Sequence, residues 1–165
     1  MQRKDQMKQE FIVRKAVIAD IIHIHRLLHT YSHQGDLIPR PLSDLYDHVR
    51  DFSVSADAVT KQVVGCCALQ FCWENLAEIR SLVVEEQYRR RKVASGLVTS
   101  CIAESAGYGM AKLFCLTFKP DFFSKFGFIR IQRSDLPLKI WSDCMLCVKF
   151  PDCEGIAMMK EMAQI

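Results

Sequence analysis

The sequence predicts an α/β fold of the α+β kind: a single mixed, largely antiparallel central sheet flanked by helices on both faces. Three observations predict it. Short β-prone runs, three of them separated only by polar links of hairpin length, read as an antiparallel meander. A strand, a long helix and a further apolar strand then follow in succession, so the helix must cross between strands. Helical spacing before and after these runs supplies the layers that bury the sheet.

Element by element, a polar lead over residues 1–10 gives way to FIVRKA (Phe11 to Ala16), which is β-prone. Asp20 caps IIHIHRLLHTY, in which Ile21, Ile24, Leu28 and Tyr31 fall at helical spacing. A loop with Gly35, Pro39 and Pro41 leads to a second short helix, SDLYDHVRDF, with Ser43 or Asp44 at its start. SVSADAVT, QVVGCCALQFCW and AEIRSLVV are the meander, linked at Thr60-Lys61 and Glu74-Asn75. QYRRRK opens the helix VASGLVTSCIAESAG, which Gly107 or Gly109 can end, and KLFCLTF reads as a strand buried on both faces. A short helix, PDFFSKF, a Gly127 turn and the strand FIRIQ complete the order β α α β β β α β α β. A Pro137-marked segment follows, then a final helix in EGIAMMKEMA with Met158, Met159 and Met162 on its packing face.

With 165 residues, half of them hydrophobic, the chain can bury one core, and one domain over residues 11–165 is expected. The 22 basic and 19 acidic residues leave a net charge of +3, too mild to call for nucleic acid or a membrane as partner. MQRKDQMKQE lacks the pattern of a secretory signal, and no apolar run reaches transmembrane length. The eight cysteines therefore read as reduced thiols in a cytoplasmic protein. Cys144, Cys147 and Cys153 form C-x2-C-x5-C without an obvious fourth ligand, and His23, His25, His29 and His33 lack a carboxylate in register. No metal is expected, and Cys66, Cys67, Cys72, Cys101 and Cys115 are assigned to packing.

Chemistry concentrates in AEIRSLVVEEQYRRRKVASGL, a strand, a polar turn and four cations at a helix start. A helix N-terminus offers unpaired N–H groups and partial positive charge, so Val93, Ala94 and Ser95 can receive a diphosphate while Arg89, Arg90, Arg91 and Lys92 add mobile cations. A charge run alone is more often a solvated surface. The preceding strand and the small residues Ala94, Ser95 and Gly96 single this one out.

This segment resembles the acyl-CoA-binding motif of the GNAT superfamily of N-acetyltransferases, in which an Arg or Gln leads two glycines at a helix start; here Lys92 and Ala94 occupy the glycine positions. The words VRKA, LYDHVRDF, VVGCCALQFCWENLAEIRSLVV, LTFKPDFFSKFGF and LPLKIWSDCMLCVKFPDCEGIAM resemble the short, stand-alone bacterial N-acetylglutamate synthases, which lack an amino-acid-kinase domain. The resemblance implies the GNAT fold, acetyl-CoA as co-substrate, glutamate as acceptor, entry to arginine biosynthesis and direct transfer in a ternary complex. It brings forward Arg14, Arg40, Arg80 and Lys119 as substrate cations, suited to carboxylates, with Lys119 standing where the synthases carry Arg. It is also compatible with a homodimer.

Alternation sends Glu78, Arg80, Leu82 and Val84 to one face and Ala77, Ile79, Ser81 and Val83 to the other. Glu78 is the candidate base for the attacking amine, with Glu74 second; an ion pair with Arg80 accounts for Glu78 equally well. In a strand splayed from its neighbour, the N–H groups of Leu82, Val83 or Val84 are candidates to hold the oxyanion and the pantetheine arm. PDFFSKFGF carries Phe122 and Phe123, so it has no phenol to serve as the acid. The alternatives are the same fold acting on another amino acid, a polyamine or a protein amine, and a non-catalytic acyl-CoA-binding module.

Overall fold

The computed structural model of the chain describes residues 10–32, 39–145 and 154–163, the side chains of residues 139 and 143–145 excepted. Among these residues seven strands form one sheet: β1 (Phe11–Lys15), β2 (Phe52–Asp57), β3 (Val63–Trp73), β4 (Leu76–Val84), β5 (Lys112–Thr117), β6 (Ile129–Arg130) and β7 (Ile156–Glu161). Their order is β1-β2-β3-β4-β5-β7-β6, antiparallel throughout except for the β4–β5 pair. Among the described residues five α-helices accompany it: α1 (Ile21–Ser32), α2 (Leu42–Asp47), α3 (Val93–Gly107), α4 (Pro120–Ser124) and α5 (Leu138–Met145). The crossover expected between AEIRSLVV and KLFCLTF is α3.

Each sheet face has its own core. On one, Val93, Leu97 and Cys101 of α3 recur every four residues and pack with Val64, Cys67, Ala77, Ile79, Val84 and Leu113. Phe123 of α4 joins them. On the other, Ile21, Ile24 and Leu28 of α1 and Leu45 of α2 cover Phe52, Val54, Cys66, Ala68 and Val83. Further along that face, Ile140 of α5 and Leu136 lie against Leu76, Phe114 and Ala157. Gly65 lets α3 sit down: a Cβ there would stand 2.9 Å from Val83 O and 3.2 Å from side-chain carbons of both Val84 and Val93.

Three readings of the sequence need correction. EGIAMMKEMA is not a helix but holds β7, inserted between β5 and β6. Ala157 and Met158 turn to opposite cores there, and two strand partners outweigh the helical preference of Ala, Met, Lys and Glu. Phe52, read as the end of a helix, opens β2; α2 stops at Asp47 and a single 3-10 turn, Val49–Asp51, intervenes. The Pro137-marked segment folds as α5.

The alternation along β4 breaks at a bulge. Cys66 pairs with Val83 and Ala68 with Arg80, so Cys67 alone opposes Ser81 and Leu82, and Ser81 adopts a left-handed φ of 55°. Leu82 and Val84 thereby join Ala77 and Ile79 on the α3 face, while Val83 turns to the α1 face with Glu78 and Arg80.

Candidate active site

The parallel strands β4 and β5 pair only at Leu76↔Lys112, Ala77↔Leu113 and Glu78↔Phe114. Beyond these they part, while β5 stays paired with β7 through Thr117↔Ile156. The bulge at Ser81 lies just past the last shared pair, where the extra residue bends β4. A cleft of about 680 Å³ opens between the strands, lined by Ile79 to Val84 of β4, by Cys115 to Lys119, and by the start of α3. Arg80 and Val83 on one face of the sheet and Leu82 and Val84 on the other all line it, so the cleft passes through the sheet.

One end of the cleft is built for an anion. After β4 the chain makes a 3-10 turn, Glu86–Tyr88, and reaches α3 through Arg89 to Lys92. Arg90 and Lys92 take left-handed φ values of 62° and 63°, and the left-handed Lys92 leads directly into the helical backbone of Val93, a turn of the kind whose successive N–H groups can face an anion. Gly96 N–H donates the first helical bond, to Lys92 O at 3.0 Å, so the amides of Val93, Ala94 and Ser95 precede the helical ladder. Arg89, Arg90, Lys92, Val93, Ala94 and Ser95 all line the cleft. Arg91 points elsewhere: it pairs with Glu10 and lies over the rings of Phe11 and Tyr88, at 5.0 and 5.3 Å from their centroids. Cations and helix-start amides suit a diphosphate, and the unpaired strand edge beside them suits an amide-bearing arm. The residues present therefore fit CoA.

The α1 face of the sheet carries the candidate acceptor groups. Glu78 is buried, its Oε2 3.8 Å from Arg80 Nη1, which donates to Gln70 Oε1 at 2.8 Å. Gln70 stands directly across from Glu78 on β3. Of the other predicted cations, Lys119 lines the cleft, and its backbone N–H donates to Thr117 Oγ1 at 2.9 Å. Arg40 is almost enclosed, its guanidinium 5.3 Å from the Phe52 ring centroid and its Nε donating to Asp44 at 2.6 Å.

Arg14 and Glu74 are not brought to the cleft. Arg14 lies on the edge strand β1, separated from β4 by two strands, and donates from both terminal guanidinium nitrogens to Asp20, at 2.7 and 3.1 Å. Burial opposes ionisation of Asp20, but hydrogen bonds from Arg14 and Val17 N–H together with the attraction of Arg14 and His23 outweigh it and hold its carboxyl below the ordinary range. Glu74 sits in the exposed turn between β3 and β4. Cys115 lines the cleft, and burial together with the charge of Glu78 pushes its thiol up, so it stays neutral.

Three contributors carried no distinctive sequence signal. Gln70 is one polar residue in an apolar strand, Tyr31 matched the helical apolar pattern, and Lys125 fell within the short helix PDFFSKF; Tyr31 and Lys125 line the cleft and Gln70 holds Arg80. Among the described residues no group of three or more His, Cys, Asp or Glu is placed to hold a metal, and no helix is long and apolar enough to cross a membrane. The side chains of Cys144, Cys147 and Cys153, like His33, lie outside what is described.

The sequence model of the Acetyltransferase (GNAT) family matches residues 18–128. An uncharacterized N-acetyltransferase of Chlorobaculum tepidum is 39% identical over 91% of this chain and 96% of its own length. An amino-acid acetyltransferase of Mycobacterium tuberculosis is 28% identical over 80% of this chain and 76% of its own. The fold is shared with N-acetylglutamate synthase from Neisseria gonorrhoeae, solved with coenzyme A and N-acetyl-glutamate: the TM-score is 0.84 at 24% identity, over 93% of this chain and 35% of that one. With its splayed strands, its cationic helix start and these relatives, the chain belongs to the GNAT family and is an acetyl-CoA-dependent N-acetyltransferase.

Proposed function

We propose that the chain, acting as one domain over residues 11–165 in the cytoplasm, transfers the acetyl group of acetyl-CoA to the α-amino group of L-glutamate, the entry to arginine biosynthesis. The observation that carries the reading is the pairing of a buried carboxylate, Glu78, with a guanidinium, Arg80, 3.8 Å apart where β4 and β5 separate. Acetyl-CoA supplies the activated thioester. An amine attacks only as its free base, and Glu78 takes the proton directly or through a water. Arg80, steadied by Gln70, offers the fork that a carboxylate accepts.

Arg40 stands over Phe52 in the cross-strand row Phe52, Ala68, Arg80. Two strand spacings, roughly 10 Å, separate the ends of that row, a span suited to two guanidinium groups on a short dicarboxylate. Lys119 adds a cation at the cleft, and the β4 edge from Leu82 to Val84 supplies N–H groups for the thioester carbonyl. The neutral Cys115 favours direct transfer over an acyl relay on the protein. Relatives named amino-acid acetyltransferase and the synthase sharing the fold support an amino-acid acceptor.

Incubation of the pure protein with acetyl-CoA and each candidate amine, followed by mass spectrometry, tests the reading. Acetylglutamate formation that Glu78→Gln and Arg80→Ala suppress supports it, and Arg14→Ala reports whether the Asp20-bound guanidinium also meets the acceptor. Turnover of other amines alone refutes glutamate as acceptor, and CoA binding without any product points to a non-catalytic module.

A further inference from the structure

Arg89 has a long side chain that must be held to serve a site. Two contacts hold it. Its Nε donates to Val84 O at 3.3 Å, and its guanidinium lies over the ring of Tyr31, 4.9 Å from the centroid. Tyr31 comes from the last turn of α1, on the opposite side of the sheet from α3. Its hydroxyl also accepts a hydrogen bond from Glu86 N–H at 2.8 Å, in the 3-10 turn that leads to Arg89. Thus one side chain grips both the turn and the cation that follows it, and it lines the cleft itself.

We propose that Tyr31 is a positioning residue for the coenzyme site, whose ring and hydroxyl aim the Arg89 guanidinium at the diphosphate. The inference rests on Arg89 being a diphosphate ligand. The stacked ring restricts the guanidinium to a plane and partly shields it from water, which strengthens its attraction for phosphate oxygens. The hydroxyl fixes where that plane stands relative to the start of α3. The acceptor-side helix α1 thereby takes part in coenzyme binding without bearing a charge toward it.

Calorimetric titration of CoA into wild type, Tyr31→Leu, Tyr31→Phe, Arg89→Ala and the Tyr31→Leu/Arg89→Ala double variant tests this, with thermal melting as the check on folding. Tyr31→Gln replaces Tyr31→Leu should the latter melt early. Tyr31→Leu is expected to raise Kd about three- to tenfold. Tyr31→Phe keeps the ring and recovers most of that loss. In the Arg89→Ala background Tyr31→Leu adds less than twofold, because it acts through Arg89. Equal losses in both backgrounds, or wild-type affinity in Tyr31→Leu, overturn the role of Tyr31. Wild-type affinity in Arg89→Ala overturns instead the assignment of Arg89 on which it rests.

Discussion

Lys92 and Arg90 hold left-handed backbone in a loop where glycine would do so without a Cβ conflict. The strain at Lys92 is about 1 kcal/mol. Lys92→Gly is therefore expected to raise unfolding stability by roughly 0.5–1 kcal/mol in urea titrations, whereas Lys92→Ala, which removes the charge but keeps a Cβ, gives no such gain. A second residue-scale prediction concerns Asp20. Its folded-state pKa is depressed, so its stabilisation is fully present above the unfolded value of about 4 and is lost as pH falls through the folded one. Asp20→Asn should cost about 1–3 kcal/mol at pH 7, and the gap to wild type should narrow as the pH drops below about 4. A gap independent of pH would mean that the Arg14 pair contributes through packing instead.

At the scale of elements, the start of α3 depends on the missing side chain of Gly65. Gly65→Ala drives a Cβ against Val83 O, a backbone atom that can move only with β4, and against Val84 and Val93. Overpacking of this kind costs about 1–3 kcal/mol. Because Val93 opens α3, the same variant should weaken CoA binding several-fold in titration while the sheet still forms by circular dichroism. Local signals made most of this architecture legible: RRRK with Val93, Ala94 and Ser95 announces a helix start, and Gly109, at φ 72°, marks its end. The misreadings arose where non-local pairing decides. Ile156 to Glu161 carries good helix formers and becomes a strand only because β5 and β6 flank it. Ser81 takes a left-handed φ without a glycine to announce it, so period two assigned Leu82 and Val84 to the wrong face. Gln70 and Tyr31 were invisible for the same reason, since their partners lie 10 and 55 residues away in the chain.

For the whole molecule, the consequence of parting β4 from β5 is that one cleft serves two faces. The proposed diphosphate cradle of Arg89, Arg90, Lys92 and the α3 amides lies at the helix start, while Glu78 and Arg80 project on the face covered by α1, α2 and α5. On the proposed assignment each co-substrate meets its own set of side chains, and variants should separate in kinetics. Arg89→Ala is expected to raise KM for acetyl-CoA about tenfold or more, the loss of a charge-assisted contact, with the amine KM changed less than twofold. Arg80→Ala should do the reverse for a carboxylate-bearing amine, because its guanidinium stands beside Glu78 and Gln70. Since burial and the charge of Glu78 keep Cys115, the thiol that lines the cleft among the described residues, from ionising to carry the acetyl group, initial-rate lines at varied acetyl-CoA and amine should intersect. Parallel lines would require a covalent acetyl-enzyme, and Cys115→Ala would then identify or exclude its carrier. If both variants instead raised both KM values together, the two faces would not be separate sites, and the acceptor would have to enter beside the diphosphate.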